Sequence, residues 1–258
     1  MDASKKAIFI KDWILNYVNS MPKKAESLVI GISGGIDSAL TSTLIAETGI
    51  PLLCIEMPIN QNNNQVDRGK NHISWLKANY KNINSLECNL TEIFEKFKSL
   101  NTEENKNKLL ALANTRSRIR MTTLYYFAQL NNALVAGTGN KVEDFGIGFY
   151  TKYGDGGVDL SPIADLMKSE VFELAKSLNI NKEILDAPPT DGLWDNDKTD
   201  EDQIGATYNE LEWAMTNKNN KNLSKREKEV IKIYNQFHQS NKHKMIPIPV
   251  CKIPKIFK

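Results

Sequence analysis

The sequence predicts an α/β protein: an open, parallel, twisted sheet with helices on both faces, a Rossmann-like arrangement. Three observations lead to this prediction. Leu28–Ile32 is a short apolar, β-branched run of the kind that forms buried strands. The turn Gly34-Gly35 and a helix-spaced apolar pattern follow it directly. Three further apolar runs alternate with helical patterns, which favours parallel strands joined by right-handed crossovers.

Length and composition are those of an ordinary globular protein. The 258 residues suit one α/β domain, residues 1–258, with added segments at its edge. A net charge of +2 gives no reason to expect nucleic-acid or membrane binding. The apolar runs are too short to span a membrane, and the N-terminus has no secretory signal. The three cysteines lack metal-ligand spacing, so we expect reduced thiols in a cytoplasmic protein.

The first third of the chain supplies three strands. Ile10–Val18 has the apolar periodicity of an amphipathic helix packed on a sheet. Pro51–Met57 and Ile83–Cys88 are the second and third predicted strands, and a helix is predicted over 66–80. The polar segment 58–65 follows the second strand, where either a mobile lid or a solvated connection is expected.

The rest of the chain combines helices with polar loops. A helical pattern fills 90–130, and its arginines at 116, 118 and 120 cannot share one helical face, so we expect two of them to be solvated. Asn132–Ala136 is the fourth predicted strand, and the polar loop after it lies where open α/β sheets bind ligands. The remaining predictions are turns at 137–144 and 151–159, a helix after Ser161-Pro162 through Leu178, a stiff loop at 187–194, helices at 200–215 and 224–239, and an extended tail.

The loop after the first strand carries the clearest chemical signal. Ser33–Ser38 joins a strand to a helix, so its backbone N–H groups and the helix N-terminus can converge on a phosphate. It lacks the lysine of a Walker A loop and the spacing of a G-x-G-x-x-G loop. Asp37 at the helix start is either a helix cap or a ligand for Mg²⁺ beside a nucleotide.

The string SGGIDS at Ser33–Ser38 resembles the pyrophosphate loop of the N-type ATP pyrophosphatases. These enzymes cleave ATP between its α- and β-phosphates on an adenine nucleotide alpha-hydrolase-like fold. They include NAD synthetases, GMP synthetases and several tRNA-modifying enzymes. The loop alone therefore does not choose among these activities.

Six further strings make the whole chain similar to the ammonia-dependent NAD synthetases. The resemblance implies ATP-dependent amidation of nicotinate adenine dinucleotide (deamido-NAD) to NAD by ammonia, through an adenylated intermediate, with release of AMP and pyrophosphate. This is the last step of NAD biosynthesis. The amidase domain of glutamine-dependent relatives is not expected, because the loop begins only about thirty residues into the chain. The strings are GTGNKVE (137–143), TKYGDGGVD (151–159), SPIADLMKSEV (161–171), APPTDGLW (187–194), DEDQIGATY (200–208) and HK (243–244).

The resemblance also implies roles for individual residues. Asp37 and Glu143 are implied ligands of Mg²⁺. Asp144 is a rival to Glu143, because many relatives have one residue fewer between this glutamate and the lysine matching Lys152. The residues implied to bind ATP are Gly31, Ile32, Ser33, Gly34, Gly35, Ile36, Asp37, Ser38, Thr138, Lys168 and Thr190; those implied to bind deamido-NAD are Arg118, Lys152, Asp159, His243 and Lys244.

Three other functions share parts of this pattern. The TKYGDGG and PPTDGLW strings argue against a GMP synthetase subunit, and the absence of a basic face and of catalytic cysteines in the loops argues against a tRNA-thiolating enzyme. Intact Asp37, Lys152 and Lys168 argue against a non-catalytic nucleotide sensor. The resemblance further implies a homodimer, for which the apolar residues of 109–130 are suitable interface material.

Overall fold

A parallel sheet forms the centre of the molecule. The computed structural model describes residues 2–61, 63–101, 103–190, 199–217 and 222–257. Within these ranges four strands pair in the order β3-β2-β1-β4, with Leu28 opposite Leu52 and Ser27 opposite Ala133. The predicted open parallel sheet is confirmed. The strands are β1 (Ser27–Gly31), β2 (Leu52–Glu56), β3 (Ile83–Glu87) and β4 (Ala133–Val135).

Helices cover both faces of the sheet, as predicted. Successive side chains of a strand point to opposite faces. Leu28 and Ile30 therefore pack into one apolar cluster with α1, α2 and α6, whereas Val29 packs into a second cluster with α4 and α5. The helices are α1 (Ala3–Ser20), α2 (Ile36–Ala46), α3 (Asn63–Asn79), α4 (Thr91–Lys98), α5 (Lys108–Leu130), α6 (Lys168–Ser177), α7 (Lys182–Leu185), α8 (Asp200–Ile204), α9 (Tyr208–Thr216) and α10 (Lys225–Met245).

A third apolar cluster lies beside the sheet. It joins α8, α9 and α10 to a short π-helix, Val142–Ile147, through buried residues that include Leu211, Val230 and Tyr234. Because the π-helix follows β4, this cluster brings the C-terminal helices to the carboxyl edge of the sheet. The π-helix interrupts the segment 137–144, which the sequence predicts to be a turn.

Several other element boundaries differ from the prediction. The helix predicted after Ser161-Pro162 begins only at Lys168, and the last helix continues past 239 to Met245. The predicted helix over 200–215 is two helices, because Gly205 adopts a left-handed conformation (φ 83°) and Thr207 starts a new helix with a capping box. The predicted polar loop 58–65 is also shorter, since α3 already begins at Asn63. Local polar composition did not reveal that 63–65 form the first turn of a packed helix.

The described part of the chain offers no helix with the length and apolar character needed to cross a bilayer. Its three cysteines are free thiols. Cys54 is buried in β2, and this burial raises its pKa to about 12, so it acts as a small apolar core residue.

A buried histidine makes stability depend on pH. His72 on α3 is fully buried, and its Nε2 lies 2.9 Å from Ser42 Oγ on α2. Burial lowers its pKa to about 4, from an ordinary value of 6.5. The folded state therefore favours the neutral ring. The contribution of His72 to the free energy of unfolding is fully present above pH 6.5. It is lost as pH falls from 6.5 toward 4, and the loss amounts to at most roughly 3 kcal/mol.

We expect the free energy of unfolding in urea to fall between pH 7 and pH 4.5 more steeply in the native protein than in a His72→Gln variant. Glutamine cannot titrate there, so the difference between the two pH profiles isolates this histidine. Parallel profiles would show that His72 does not contribute to acid sensitivity.

Candidate active site

The turn between β1 and α2 forms one wall of a cleft at the carboxyl edge of the sheet. Gly34 has φ 78°, and a Cβ there would overlap the carbonyl oxygen of Gln65, so only glycine fits. Serine hydroxyls hold the turn: Ser33 Oγ accepts the Gly35 N–H at 3.2 Å, and Ser38 Oγ donates to the Gly35 carbonyl at 3.0 Å. The N-terminus of α2 has no side-chain cap, so its N–H groups remain available to an anion.

Asp37 meets two groups from distant parts of the chain instead of capping α2, whose N-cap is Gly35. Lys168 Nζ, at the start of α6, donates to Asp37 Oδ2 at 2.6 Å and to Glu143 Oε1 at 3.0 Å. Asn140 Nδ2 donates to Asp37 Oδ1 at 3.2 Å. Asn140 Oδ1 also accepts the Glu143 N–H and so fixes the start of the π-helix. The alternative of Asp37 as a helix cap is wrong.

Burial and charge together set the protonation of this centre. Burial disfavours the charged form of Lys168, which is 3% exposed, but Asp37 and Glu143 outweigh it and raise its pKa above the ordinary range. Burial also raises the pKa of Asp37, against the effect of Lys168. Lys168 lowers the pKa of Glu143 despite burial. Two carboxylates against one ammonium leave an excess negative charge, which suits an added cation.

A cavity of about 250 Å³ extends from the loop across this centre. Nine of the eleven residues implied to bind ATP line it, and the two others, Gly34 and Ser38, belong to the same turn. The cavity also reaches Ala187–Thr190, the described start of the stiff loop; the rest of that loop, 191–194, lies outside the described residues. The nine lining residues are Gly31, Ile32, Ser33, Gly35, Ile36, Asp37, Thr138, Lys168 and Thr190.

The family model described as NAD synthase matches residues 7–247 of this sequence. The chain belongs to the NAD synthase family. Its sequence is 38% identical over 209 residues to the NH(3)-dependent NAD(+) synthetase of Carboxydothermus hydrogenoformans, covering 77% of this chain and 81% of the relative.

Two solved structures resemble the fold over its whole length. The NMN synthetase from Francisella tularensis is 31% identical with a TM-score of 0.85, covering 99% of each chain. The NH3-dependent NAD synthetase from Campylobacter jejuni is 25% identical with a TM-score of 0.78, covering 98% of this chain and 100% of that one.

The π-helix bears on the choice between Glu143 and Asp144. A single-turn π-helix accommodates one extra residue within a helical turn, as the extra residue implied by the family resemblance would require. Glu143 contacts Lys168, whereas the carboxylate of Asp144 lies against Gly139, where it would overlap an added Cβ. Burial and then Glu143 raise the pKa of Asp144 to about 8. Only Glu143 therefore joins Asp37 at the lysine.

Most residues implied to bind the dinucleotide lie together, outside the set that lines the cavity. The Arg118 guanidinium donates to the Lys152 carbonyl at 3.3 Å, and Lys152 Nζ donates to the His243 carbonyl at 2.8 Å. Lys244 Nζ donates to the Tyr150 carbonyl at 2.7 Å. The structure thus groups four cationic or ionisable side chains from α5, the 151–157 turn and the end of α10.

Asp159 has a different environment from the other implied dinucleotide residues. Its carboxylate accepts the Val135 N–H at 2.8 Å and the Tyr125 hydroxyl at 3.0 Å. Both bonds tie the chain after β4 to the sheet and to α5. Any contact of Asp159 with substrate would be additional to this structural role.

Three charged residues that line the cavity were not predicted to belong to the site. Arg68 Nε donates to the Gly34 carbonyl at 3.3 Å and so contacts the loop, and Arg120 Nε donates to the Met57 carbonyl at 3.1 Å. Both residues line the cavity. Asp155 accepts from Ser117 Oγ at 2.6 Å. Asp155 lies within the TKYGDGG string and could have been found, but nothing in the sequence distinguishes Arg68 from a solvated arginine.

The segment predicted as a lid adjoins the cavity. Gln61 and Gln65 line it, and the side chain of Asn60 donates to Glu95 at 3.0 Å. Residue 62 lies outside the described residues. Closure of 60–65 over a bound nucleotide remains a prediction, in which the first turn of α3 would have to move with the loop.

Proposed function

We propose that this protein amidates deamido-NAD to NAD, with ATP and free ammonia as co-substrates. The observation that carries the proposal is the convergence of Asp37, Glu143 and Lys168 beside an anion-binding loop, in a chain of the NAD synthase family. The name of the Carboxydothermus relative supports ammonia as the nitrogen donor. This chemistry makes the protein a ligase that forms a C–N bond.

The reaction requires two steps, because ammonia does not displace oxide from a carboxylate. In the first step a nicotinate carboxylate oxygen attacks the α-phosphorus of ATP, and the bond to the β-phosphate breaks to release pyrophosphate. In the second step ammonia attacks the acyl carbon of this adenylate, loses a proton and expels AMP. The protein contributes positioning and charge stabilisation to both steps.

The cavity provides cations for the phosphates. The N–H groups of the 33–38 loop and the N-terminus of α2 would bind the anion, as in other strand–loop–helix phosphate sites. Lys168, Arg68 and Arg120 line the same cavity and would offset the negative charge that develops on the leaving pyrophosphate. Thr138 and Thr190 also line it and could contact the nucleotide through their hydroxyl groups.

The residues present fit a magnesium ion. Mg²⁺ in nucleotide sites is bound by one or two carboxylates together with phosphate oxygens, and Asp37 and Glu143 supply two carboxylates that meet at one point. The described residues hold no cluster of three or more His, Cys, Asp or Glu able to bind a metal alone, so the phosphates must complete the shell. The ion would screen the phosphates and polarise the α-phosphorus.

Deamido-NAD would bind to the group of side chains formed by Arg118, Lys152, His243 and Lys244. Its positive charge suits the pyrophosphate and carboxylate of that dinucleotide. Asp159 would act nearby through the ordered segment after β4. This division leaves the loop side of the cleft for ATP and the α10 side for the second substrate.

The purified protein tests the proposal when it is given ATP, Mg²⁺, an ammonium salt and deamido-NAD. We expect equal amounts of NAD and AMP, and neither product when deamido-NAD is left out. AMP formation without NAD would mean that the adenylate is hydrolysed. No AMP from any combination would overturn the proposal.

A second candidate substrate is nicotinate mononucleotide. The Francisella structure, an NMN synthetase, has the higher TM-score and identity of the two solved structures compared above and matches both chains end to end. The amidation chemistry is the same, and only recognition of the second nucleotide differs. Measuring kcat/KM for both acids in the same assay decides between them; we expect the larger value for deamido-NAD.

We propose that the protein forms a homodimer through α4 and α5. Most apolar residues expected at the interface instead pack on the sheet, including Ile119 and Leu124. Other apolar side chains of α5 are exposed, among them Leu109 (67%) and Leu130 (63%), and Phe97 on α4 joins them. A partner chain that covered these side chains would remove apolar surface from water, which is what stabilises obligate interfaces.

Sedimentation at micromolar concentration should therefore give twice the 29.1 kDa chain mass. A Leu109→Glu/Leu130→Glu variant should sediment as a monomer and bind deamido-NAD more weakly, since Arg118 lies on the same helix. A native monomer with full activity would contradict the dimer.

We also propose a single synthetase domain over 1–258 in the cytoplasm. The end-to-end structural match supports the single domain, and the three free thiols support the location.

A further inference from the structure

The string DEDQIGATY ends in a tyrosine that none of the roles above uses. Thr207 caps α9 and makes Tyr208 its first residue, and Glu201 of α8 accepts the Tyr208 N–H at 2.8 Å. The ring packs in the third apolar cluster and the residue is only 5% exposed. The helix cap and the cluster therefore hold this side chain in one orientation.

The hydroxyl of Tyr208 touches the charged centre directly. It lies 2.6 Å from Glu143 Oε1 and 3.2 Å from Asp200 Oδ2. A hydroxyl has one proton to donate, and the shorter distance assigns it to Glu143. The same Glu143 oxygen accepts from Lys168 Nζ, which also lies 4.8 Å from the centre of the Tyr208 ring.

Glutamate and lysine side chains are flexible, so Glu143 and Lys168 each need a neighbouring group that restricts their side-chain conformations. Tyr208 restricts both at once, through a hydrogen bond to Glu143 and through the face of its ring to Lys168. Asp200, 6% exposed, lies 3.2 Å from the same hydroxyl as a second acceptor and belongs to α8, which directly precedes α9. Both helices are thereby connected to the residues that would hold the metal and the phosphates.

We propose that Tyr208 is a positioning residue that fixes the Glu143 carboxylate and the Lys168 ammonium relative to each other. The inference rests on the proposed function, since it concerns the same centre. It predicts that removing one oxygen atom weakens divalent-cation binding and slows turnover without loosening the binding of the second substrate.

The test compares the native protein with Tyr208→Phe, which keeps the ring and loses only the hydroxyl. Free Mn²⁺, measured by its electron paramagnetic resonance signal in the presence of ATP, reports cation binding without turnover. A hydrogen bond to a charged group corresponds to about a tenfold to hundredfold effect, so we expect kcat to fall by about tenfold and the Mn²⁺ dissociation constant to rise severalfold. KM for deamido-NAD should change by less than about twofold.

Tyr234→Phe is the matched control. Tyr234 is buried in the same apolar cluster, with its hydroxyl 3.5 Å from His238, and it should keep native Mn²⁺ binding and kcat. Native values in Tyr208→Phe, or equal losses in both variants, would overturn the proposal. If Tyr208→Phe does not fold, Tyr208→Met provides the test, because methionine fills the space but removes both the hydroxyl and the ring face; native Mn²⁺ binding in that variant would overturn the proposal. A native protein that binds Mn²⁺ but makes no NAD would refute the function and not the positioning role.

Discussion

Replacing Asp37 by asparagine should lower kcat/KM for NAD formation by on the order of a thousandfold or more, while the melting temperature changes little. Asparagine preserves the shape of the side chain but removes one of the two carboxylates that meet at Lys168. The fold should tolerate the change, because Gly35 and not Asp37 is the N-cap of α2, and Lys168 keeps Glu143 as its partner. The measurement is steady-state AMP release over a range of Mg²⁺ concentrations.

Asp165→Asn is the control for this prediction. Asp165 makes an ion pair with Lys141 at 2.7 Å, but its side chain is 96% exposed, so its loss should leave activity unchanged. An Asp37 variant that keeps nearly native activity at low Mg²⁺ would contradict a metal-binding role. A large loss of melting temperature in Asp37→Asn would instead indicate that the residue is mainly structural.

The sheet and the loop were predictable because local patterns specify them. The strand at Leu28–Ile32 is apolar enough to be buried on both faces, and glycine at 34 is required by its positive φ and by the backbone beside it. Both features are set by residues within a few positions of one another. Sequence reasoning therefore found the strand, the turn and the helix after it in their correct order.

The polar centre could not be built from local patterns. Lys168 lies 131 positions from Asp37, and only the folded chain brings them to 2.6 Å. The family resemblance named both residues, but it did not indicate that they touch. Tyr208 was missed for a similar reason: its role depends on Gly205 ending one helix and Thr207 starting the next, a break that the apolar periodicity of 200–215 conceals.

The π-helix is the clearest example of a feature that a sequence can suggest and not resolve. One extra residue between Glu143 and Lys152 was visible from the resemblance, but either carboxylate could then take the metal position. In the structure the π-helix Val142–Ile147 places Glu143 at Lys168 and turns Asp144 toward Gly139. This geometry separates two neighbouring acids and leads to a direct comparison between them.

Glu143→Gln and Asp144→Asn should have opposite outcomes. Glutamine at 143 keeps the length of the side chain but removes the charge that Lys168 and Tyr208 both contact, so we expect kcat to fall by on the order of a hundredfold or more. Asparagine at 144 should leave kcat within about threefold, since loss of a carboxylate without hydrogen-bond or ion-pair partners is tolerated. Within the described residues Asp144 has no such side-chain partner, and its raised pKa already favours the neutral form at pH 7.

The two variants control each other, because each replaces one carboxyl group by an amide at adjacent residues of the same π-helix. Steady-state kinetics should be combined with Mn²⁺ binding in the presence of ATP, so that loss of the cation is separated from loss of the chemical step. If Asp144→Asn abolished Mn²⁺ binding while Glu143→Gln kept it, Asp144 would be the ligand, and the side chains of the π-helix would have to rearrange when the nucleotide binds. Equal and small effects would mean that neither acid binds the metal and that Asp37 acts with the phosphates alone.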